Sequence, residues 1–215
     1  MSEEYRGTAG AETQAAAGEG EEVEEVEEKT SLLRWLIETA VLVALAFGLS
    51  LLIRYFLVEP YRVPSGSMLP TIQLQDRLLA NKLVFKVGGK PQYKDVVVFA
   101  DPTGEYPNLV KRVIATEGQV VDLTEDGQVT VDGLALDEPY THGQRSDPLF
   151  STSSVAFPFT VPKDHVWVMG DNRENSADSR VFGAVPLKDV RGRVFLTYWP
   201  LNHFGRLDYA PKYGL

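Results

Sequence analysis

The chain has 215 residues, enough for one or two domains, and is 44% hydrophobic and 24% charged, so most of it can bury a core. Its net charge of −9 sits almost wholly in residues 1–29, where ten Glu oppose Arg6 and Lys29. The rest carries 20 acids and 19 bases and so presents no basic field for nucleic acid. The absence of cysteine excludes disulfides, a cysteine nucleophile and thiolate metal sites. The three histidines, His142, His165 and His203, stand apart without ligand spacing, so neither a metal nor a cofactor is expected.

Residues 1–30 are rich in Glu, Ala, Gly and Thr and read as a disordered acidic tail, unlike the basic start of a signal peptide. The apolar segment Leu32–Val58 follows, with no charge between Thr39 and Ile53. It reaches the roughly 20 residues that a membrane helix needs. Arg34, Glu38 and Arg54 lie near its ends, where long side chains can snorkel, and Trp35 and Tyr55 lie where an aromatic belt would fall. A buried core helix would share this composition, but the length and all-round hydrophobicity favour a membrane helix over residues 31–58. No small-residue cleavage site follows, so a retained anchor is expected. Lys29 and Arg34 on one side nearly balance Arg54 and Arg62 on the other, so charge alone does not orient the span.

Next comes Val63-Pro64-Ser65-Gly66-Ser67-Met68-Leu69-Pro70-Thr71. Prolines stiffen this stretch and the glycine lets it turn sharply. A serine held in such a turn can be presented as a nucleophile beside backbone N–H groups that bind an oxyanion. An ordinary Pro/Gly/Ser turn has the same composition.

The remainder reads as β. Asp76–Leu83 mixes apolar and polar residues, Lys94–Phe99 is a strand closed by Asp101-Pro102, and Leu109–Ala115 is another. Val120–Thr124 and Gln128–Val131 flank a hairpin turn, and Asp132-Gly133 marks a second. Tyr140–Thr160 is polar and reads as a long loop or lid. His165–Met169 and Val190–Tyr198 complete the strands. With no convincing helix after the anchor, the pattern predicts a mostly antiparallel β domain over residues 59–215.

A serine nucleophile needs a base, and no histidine sits in a catalytic-looking context. A lysine can serve only if burial lowers its pKa from about 10.4. Lys111, flanked by Leu109, Val110, Val113 and Ile114, fits that requirement, although a rim lysine on a half-exposed strand would look the same. Lys82, Lys86, Lys90 and Lys94 suit solvated positions better. A third stretch, Gly170-Asp171-Asn172-Arg173-Glu174-Asn175-Ser176-Ala177-Asp178-Ser179-Arg180, is dense in hydrogen-bonding groups. It could be a solvated turn. A calcium loop is disfavoured by Arg173, which stands where a ligand oxygen is needed. It could also support the lysine, with an Asp–Arg pair as a brace.

These three stretches, in this order and after a membrane helix, resemble the boxes of bacterial type I signal peptidases over about residues 35–200. The resemblance implies a signal-peptidase-like, mostly antiparallel β domain on the membrane surface, preceded by one N-terminal transmembrane helix. It implies Ser67 as nucleophile, Lys111 as general base, the Ser67 N–H and the Ser65 hydroxyl as oxyanion hole, and Ser176 as a group that orients the Lys111 amine. Asp178 and Arg180 would pair in support, and Met68 would help exclude water. Substrates would be secretory preproteins with small residues at P1 and P3, usually Ala-X-Ala, met at the lipid bilayer of the plasma membrane. The N-terminus would be cytoplasmic and the catalytic domain extracytoplasmic, and a monomer is expected. The chain departs from the family pattern at Gln75-Asp76 and Gly118-Gln119, where Gly-Asp is usual, and at Glu174, where Asp is common. A related self-cleaving or single-partner Ser/Lys protease would carry a soluble DNA-binding domain, which this chain lacks. An inactive relative that only binds signal peptides would have lost Ser67 or Lys111, and both are present.

Overall fold

The computed structural model describes residues 32–52, 57–146 and 155–207. The acidic tail, Arg54 and Tyr55, and the Ser151–Ser154 part of the expected loop lie outside the described residues. The described chain forms two units, an N-terminal helix and a β domain.

Helix α1 spans Leu32–Leu52 and is long and apolar enough to cross a membrane. At about 1.5 Å per residue it matches a hydrocarbon core of roughly 30 Å. Leu42, Val43, Leu45 and Phe47 are all exposed on it, so among the described residues of its own unit its apolar surface has no protein partner. Arg34 and Glu38 pair across one turn at 3.0 Å. The sequence reading carried this helix to residue 58, but Val58 instead opens strand β1. Pro60 explains the change, because it cannot continue a helix and is tolerated in an edge strand.

The β domain runs through β1 (Val58–Arg62), β2 (Arg77–Asn81), α2 (Leu83–Lys86), β3 (Val96–Phe99), β4 (Leu109–Thr116), β5 (Val120–Leu123), β6 (Val129–Val131), β7 (Leu134–Ala135), β8 (Phe159–Thr160), β9 (His165–Met169), α3 (Ser179–Phe182), β10 (Val185–Pro186), β11 (Val190–Trp199) and β12 (Gly205–Arg206). Pairing is antiparallel throughout. The larger sheet has the order β1-β2-β11-β3-β4-β9-β10, with β12 added to β11, and the smaller is β7-β6-β5-β8. The mostly antiparallel β fold predicted from the sequence is the observed one.

Strand β3 shows why. Its run Val96-Val97-Val98-Phe99 is buried on both faces, as a central strand must be. Val96 and Val98 face one core cluster with Met68, Ile72 and Leu78, while Val97 and Phe99 face another with Val113, Val166 and Val168. A third cluster joins the two sheets. Trp167 from β9 packs with Val121, Val129 and Val131 of the small sheet, and its ring lies 4.8 Å from Phe159 of β8 and 5.7 Å from Phe157. The β6–β7 turn has Asp132 and Gly133 both at positive φ, the conformation that favours Asp-Gly in a two-residue hairpin.

Trp167 is wholly buried. Trp167→Ala should therefore destabilise the domain by about 3–5 kcal/mol, read as a fall in Tm. Hydrogen exchange should rise more in β5–β8 than in β2, β3 and β11, since the small sheet loses its packing partner.

Candidate active site

The loop from residue 63 to 76 joins β1 to β2. Its ends are closed by Val63 N–H donating to Asp76 C=O (3.0 Å) and Gln75 N–H donating to Val63 C=O (2.9 Å). Inside it, Ile72 N–H donates to Met68 C=O at 2.9 Å, and Met68 and Ile72 drop into the core. That packing anchors the loop from below and leaves Ser65 exposed and Ser67 half-buried. Asp76 holds the far end, with one carboxylate oxygen accepting from Gln73 N–H (2.9 Å) and the other lying 2.8 Å from His203 Nδ1. Gln75 sits at φ +68°, a conformation glycine adopts freely, so Gln75 is strained where the family pattern favours Gly. Its side chain accepts from Arg62 Nε at 2.8 Å.

Lys111 lies in β4 opposite Val97, 2% exposed. Its Nζ is 2.6 Å from Ser67 Oγ. Burial pushes its pKa down to about 8. The carboxylate of Asp178 opposes that shift, and the guanidinium of Arg180 reinforces it. A substantial fraction of the amine is then neutral near pH 8, free to accept a proton from the hydroxyl it touches. Ser65 Oγ is 3.5 Å from Ser67 Oγ, on the same exposed edge of the turn.

The loop after β9 packs against the serine turn. Asn172 N–H donates to Ser67 C=O (3.1 Å), and its side-chain amide donates to Gly66 C=O (3.0 Å). Gly170 lets this contact happen. A Cβ there would collide with Ser67 O and with the Ser176 side chain. Asp178 and Arg180 form a fully buried bidentate pair at 2.8 and 2.9 Å, and Asp178 also accepts from Gly170 N–H at 3.0 Å. Arg112 points away from Lys111, as the next residue of a strand must. It makes a bidentate pair with Asp171 (2.6 and 2.8 Å) and stacks 4.1 Å from the centre of the Tyr140 ring. Arg173 is clamped by Glu138 at 2.6 and 2.7 Å and by Ser146 at 2.7 Å.

Ser67 and Lys111, 44 positions apart, are thus brought into hydrogen-bonding contact, with Ser65 beside them and Asp178–Arg180 paired behind. The hydrogen bond expected from Ser176 to the Lys111 amine is not made, and Ser176 Oγ is buried without a partner. The side chain packs over Gly170 instead. Sequence reasoning assigned no role to Asn172, which grips the serine turn, or to Glu138, which neutralises Arg173. Asn172 lies inside the polar stretch Gly170–Arg180. Glu138 had no local signal, because its partner is 35 residues away. Among the described residues no group of three His, Asp or Glu could hold a metal ion.

A family model described as signal peptidase, peptidase S26, matches residues 35–199. Signal peptidase I of Leptolyngbya laminosa is 37% identical over 186 residues, covering 83% of this chain and 87% of the relative. Signal peptidase IB of Staphylococcus aureus is 34% identical over 195 residues, covering 86% and 97%. A solved signal peptidase I from Enterococcus faecalis is 30% identical with a TM-score of 0.41, covering 48% of this chain and 96% of that one. The chain belongs to the signal peptidase family, peptidase S26. Its activity is that of the family, the removal of signal peptides at a membrane by a serine endopeptidase.

Gly170→Ala should displace the Ser67 carbonyl and with it the serine turn. Because a shift on the order of 1 Å can cost about 100-fold in rate, cleavage by this variant should fall at least that far while the β domain remains folded by circular dichroism.

Proposed function

We propose that the chain cleaves secretory preproteins after an Ala-X-Ala type site with a Ser67/Lys111 dyad. The observation that carries this reading is the 2.6 Å contact between Ser67 Oγ and a buried lysine whose pKa is lowered to about 8. Neutral Lys111 takes the Ser67 proton as Oγ attacks the scissile carbonyl. The resulting oxyanion is held by Ser67 N–H and the Ser65 hydroxyl, and the lysinium then protonates the leaving amine. Water, deprotonated by Lys111, releases the acyl group. Asn172 holds the serine turn, and Asp178–Arg180 holds the loop behind it. We assign Ser176, whose buried hydroxyl has no other partner, to orienting the lysine.

A preference for small side chains is supported by a small cavity beside Ser67, lined by Val63, Met68, Leu109 and Val110. Selection there works by excluding large side chains. Membrane anchoring by α1 fits a substrate whose own apolar segment is inserted in the bilayer, since both are then confined to one surface at high effective concentration. We assign residues 1–30 to a cytoplasmic tail, the apolar segment to a single membrane span, and residues 59–215 to an extracytoplasmic catalytic domain that acts as a monomer.

In detergent micelles, wild type should cut an Ala-X-Ala preprotein after the second Ala, and Ser67→Ala and Lys111→Arg should not. The guanidinium of Arg stays protonated and cannot act as a base. An active Lys111→Arg variant would remove Lys111 from the mechanism. The amine must be neutral to work, so kcat/KM should fall tenfold per pH unit below about 8 and level off above it. For topology, the natural absence of cysteine permits single-site labelling. A membrane-impermeant maleimide should label Gln128→Cys but not Ser2→Cys in intact cells, and the reverse pattern would invert the assigned orientation.

A further inference from the structure

The loop that carries Ser67 is attached at its far end by a contact that the dyad does not use. Asp76 closes this loop and is buried. Its backbone carbonyl accepts from Val63 N–H at 3.0 Å, and one carboxylate oxygen accepts from Gln73 N–H at 2.9 Å. The other carboxylate oxygen lies 2.8 Å from Nδ1 of His203, 127 positions away in sequence. An ionised carboxylate only accepts, so Nδ1 carries the hydrogen and donates it. A carboxylate taken out of water needs such partners, and His203 supplies one from outside the loop.

His203 stands on a segment that is fixed independently of the loop. It ends a short 3-10 helix, Leu201–His203, and its N–H donates to Pro200 C=O at 2.9 Å. Beyond it, β12 pairs with β11 through Leu196↔Arg206 and Thr197↔Gly205. Leu207 packs on the core cluster that contains Met68 and Ile72. Residues 200–207 are thus tied to the sheet on one side and to the serine loop on the other. They lie beyond residues 35–199, the part that the family model matches. The loop itself contains no strand between β1 and β2, so its shape depends on discrete contacts rather than on a ladder. Asn172 grips it at Gly66 and Ser67, Met68 and Ile72 anchor it from below, and His203 holds it at Asp76.

We propose that His203 is a positioning residue for Ser67, acting through Asp76 to fix the far end of the serine loop. This rests on the Ser67/Lys111 reading above. Without the His203 hydrogen bond, the buried Asp76 oxygen has to turn toward water. That turn pulls on the same residue that closes the loop onto Val63 and Gln73. The loop then samples arrangements in which Ser67 Oγ is out of line with the Lys111 amine. Misplacement of that kind slows the chemical step and leaves ground-state binding of the preprotein unchanged.

The test uses the full chain in detergent micelles and an Ala-X-Ala preprotein, comparing wild type, His203→Leu, His203→Asn and Ser67→Ala. The Asn amide can place a donor where Nδ1 stood, whereas Leu keeps the bulk and has no donor. His203→Leu is expected to lose about tenfold in kcat with KM within about twofold of wild type, and His203→Asn to recover most of that loss. In the same samples the Val63 and Gln75 amides, which close the loop, should exchange with deuterium faster in His203→Leu than in wild type or His203→Asn, while β3 and β9 stay protected. Protection in β3 and β9 reports that the domain is intact. If Leu is not tolerated, His203→Ala removes the donor without adding a branched apolar group and is held to the same expectation. A wild-type kcat in His203→Leu would overturn the proposal, as would a loss that His203→Asn does not recover, since packing would then be the cause. With cleavage absent in Ser67→Ala, either result leaves the Ser67/Lys111 reading standing. Cleavage that persists in Ser67→Ala would overturn that reading, and the proposal with it.

Discussion

The structure depends on keeping one amine dry. Lys111 touches Ser67 from inside the sheet, 2% exposed, and burial is the largest influence on its pKa. A buried lysine is easily re-charged by a neighbouring carboxylate, and Asp178 is close enough to pull in that direction. Arg180 meets that pull. It binds both oxygens of Asp178, and its own charge pushes the Lys111 pKa back down. Among the described residues Lys111 makes no ion pair, while Arg112, Arg173 and Arg180 each have a carboxylate. The surroundings of Lys111 are thus close to charge-neutral, and desolvation prevails.

That arrangement explains why so many charged groups are buried in so small a domain. Replacing a buried ion pair with packed apolar residues is often neutral or stabilising, so these pairs are weak candidates for sources of stability. What they supply is position. Asp178 also accepts from Gly170 N–H, Arg180 donates to Arg173 C=O, and Arg173 Nε donates to Gly170 C=O. The loop after β9 is cross-braced at both ends of Gly170, the residue that lies against the Ser67 carbonyl. Three guanidiniums and three carboxylates therefore hold the loop that meets the serine turn at Gly170 and Asn172.

Much of this was legible in the sequence, and the physical reason differs by element. β3 and β9 were readable because a strand buried on both faces needs a continuous apolar run, as in Val96–Phe99 and Val166–Met169. Ser67 and Lys111 were readable because a Pro/Gly-framed serine and a lysine embedded in an apolar strand are each unusual. Less was legible where structure comes from partners distant in sequence. β8 and β12 are two residues long and exist because β5 and β11 have edges for them to pair with. β1 contains a proline and reads as the end of the apolar segment, and only its place at the sheet edge makes it a strand. Glu138 looked like one acid among many until the fold set it against Arg173.

The departures from the family pattern show how a fold absorbs a local mismatch. Gln75 occupies a left-handed position, where a side chain typically costs on the order of 1 kcal/mol relative to glycine. The loop still closes there, because the position is over-determined. Gln75 N–H is bound by Val63, Asp76 next to it is buried and held by Gln73 and His203, and the Gln75 amide is engaged by Arg62. Glycine would relieve the strain but forfeit the Arg62 contact and gain freedom in the unfolded chain. The two effects oppose each other, which is why a residue poorly suited to its backbone can stand in the loop that carries Ser67. Backbone strain at such a site is tolerated in proportion to the number of independent contacts that fix the conformation, and in this loop those contacts come from both strands, from the core below and from the loop after β9.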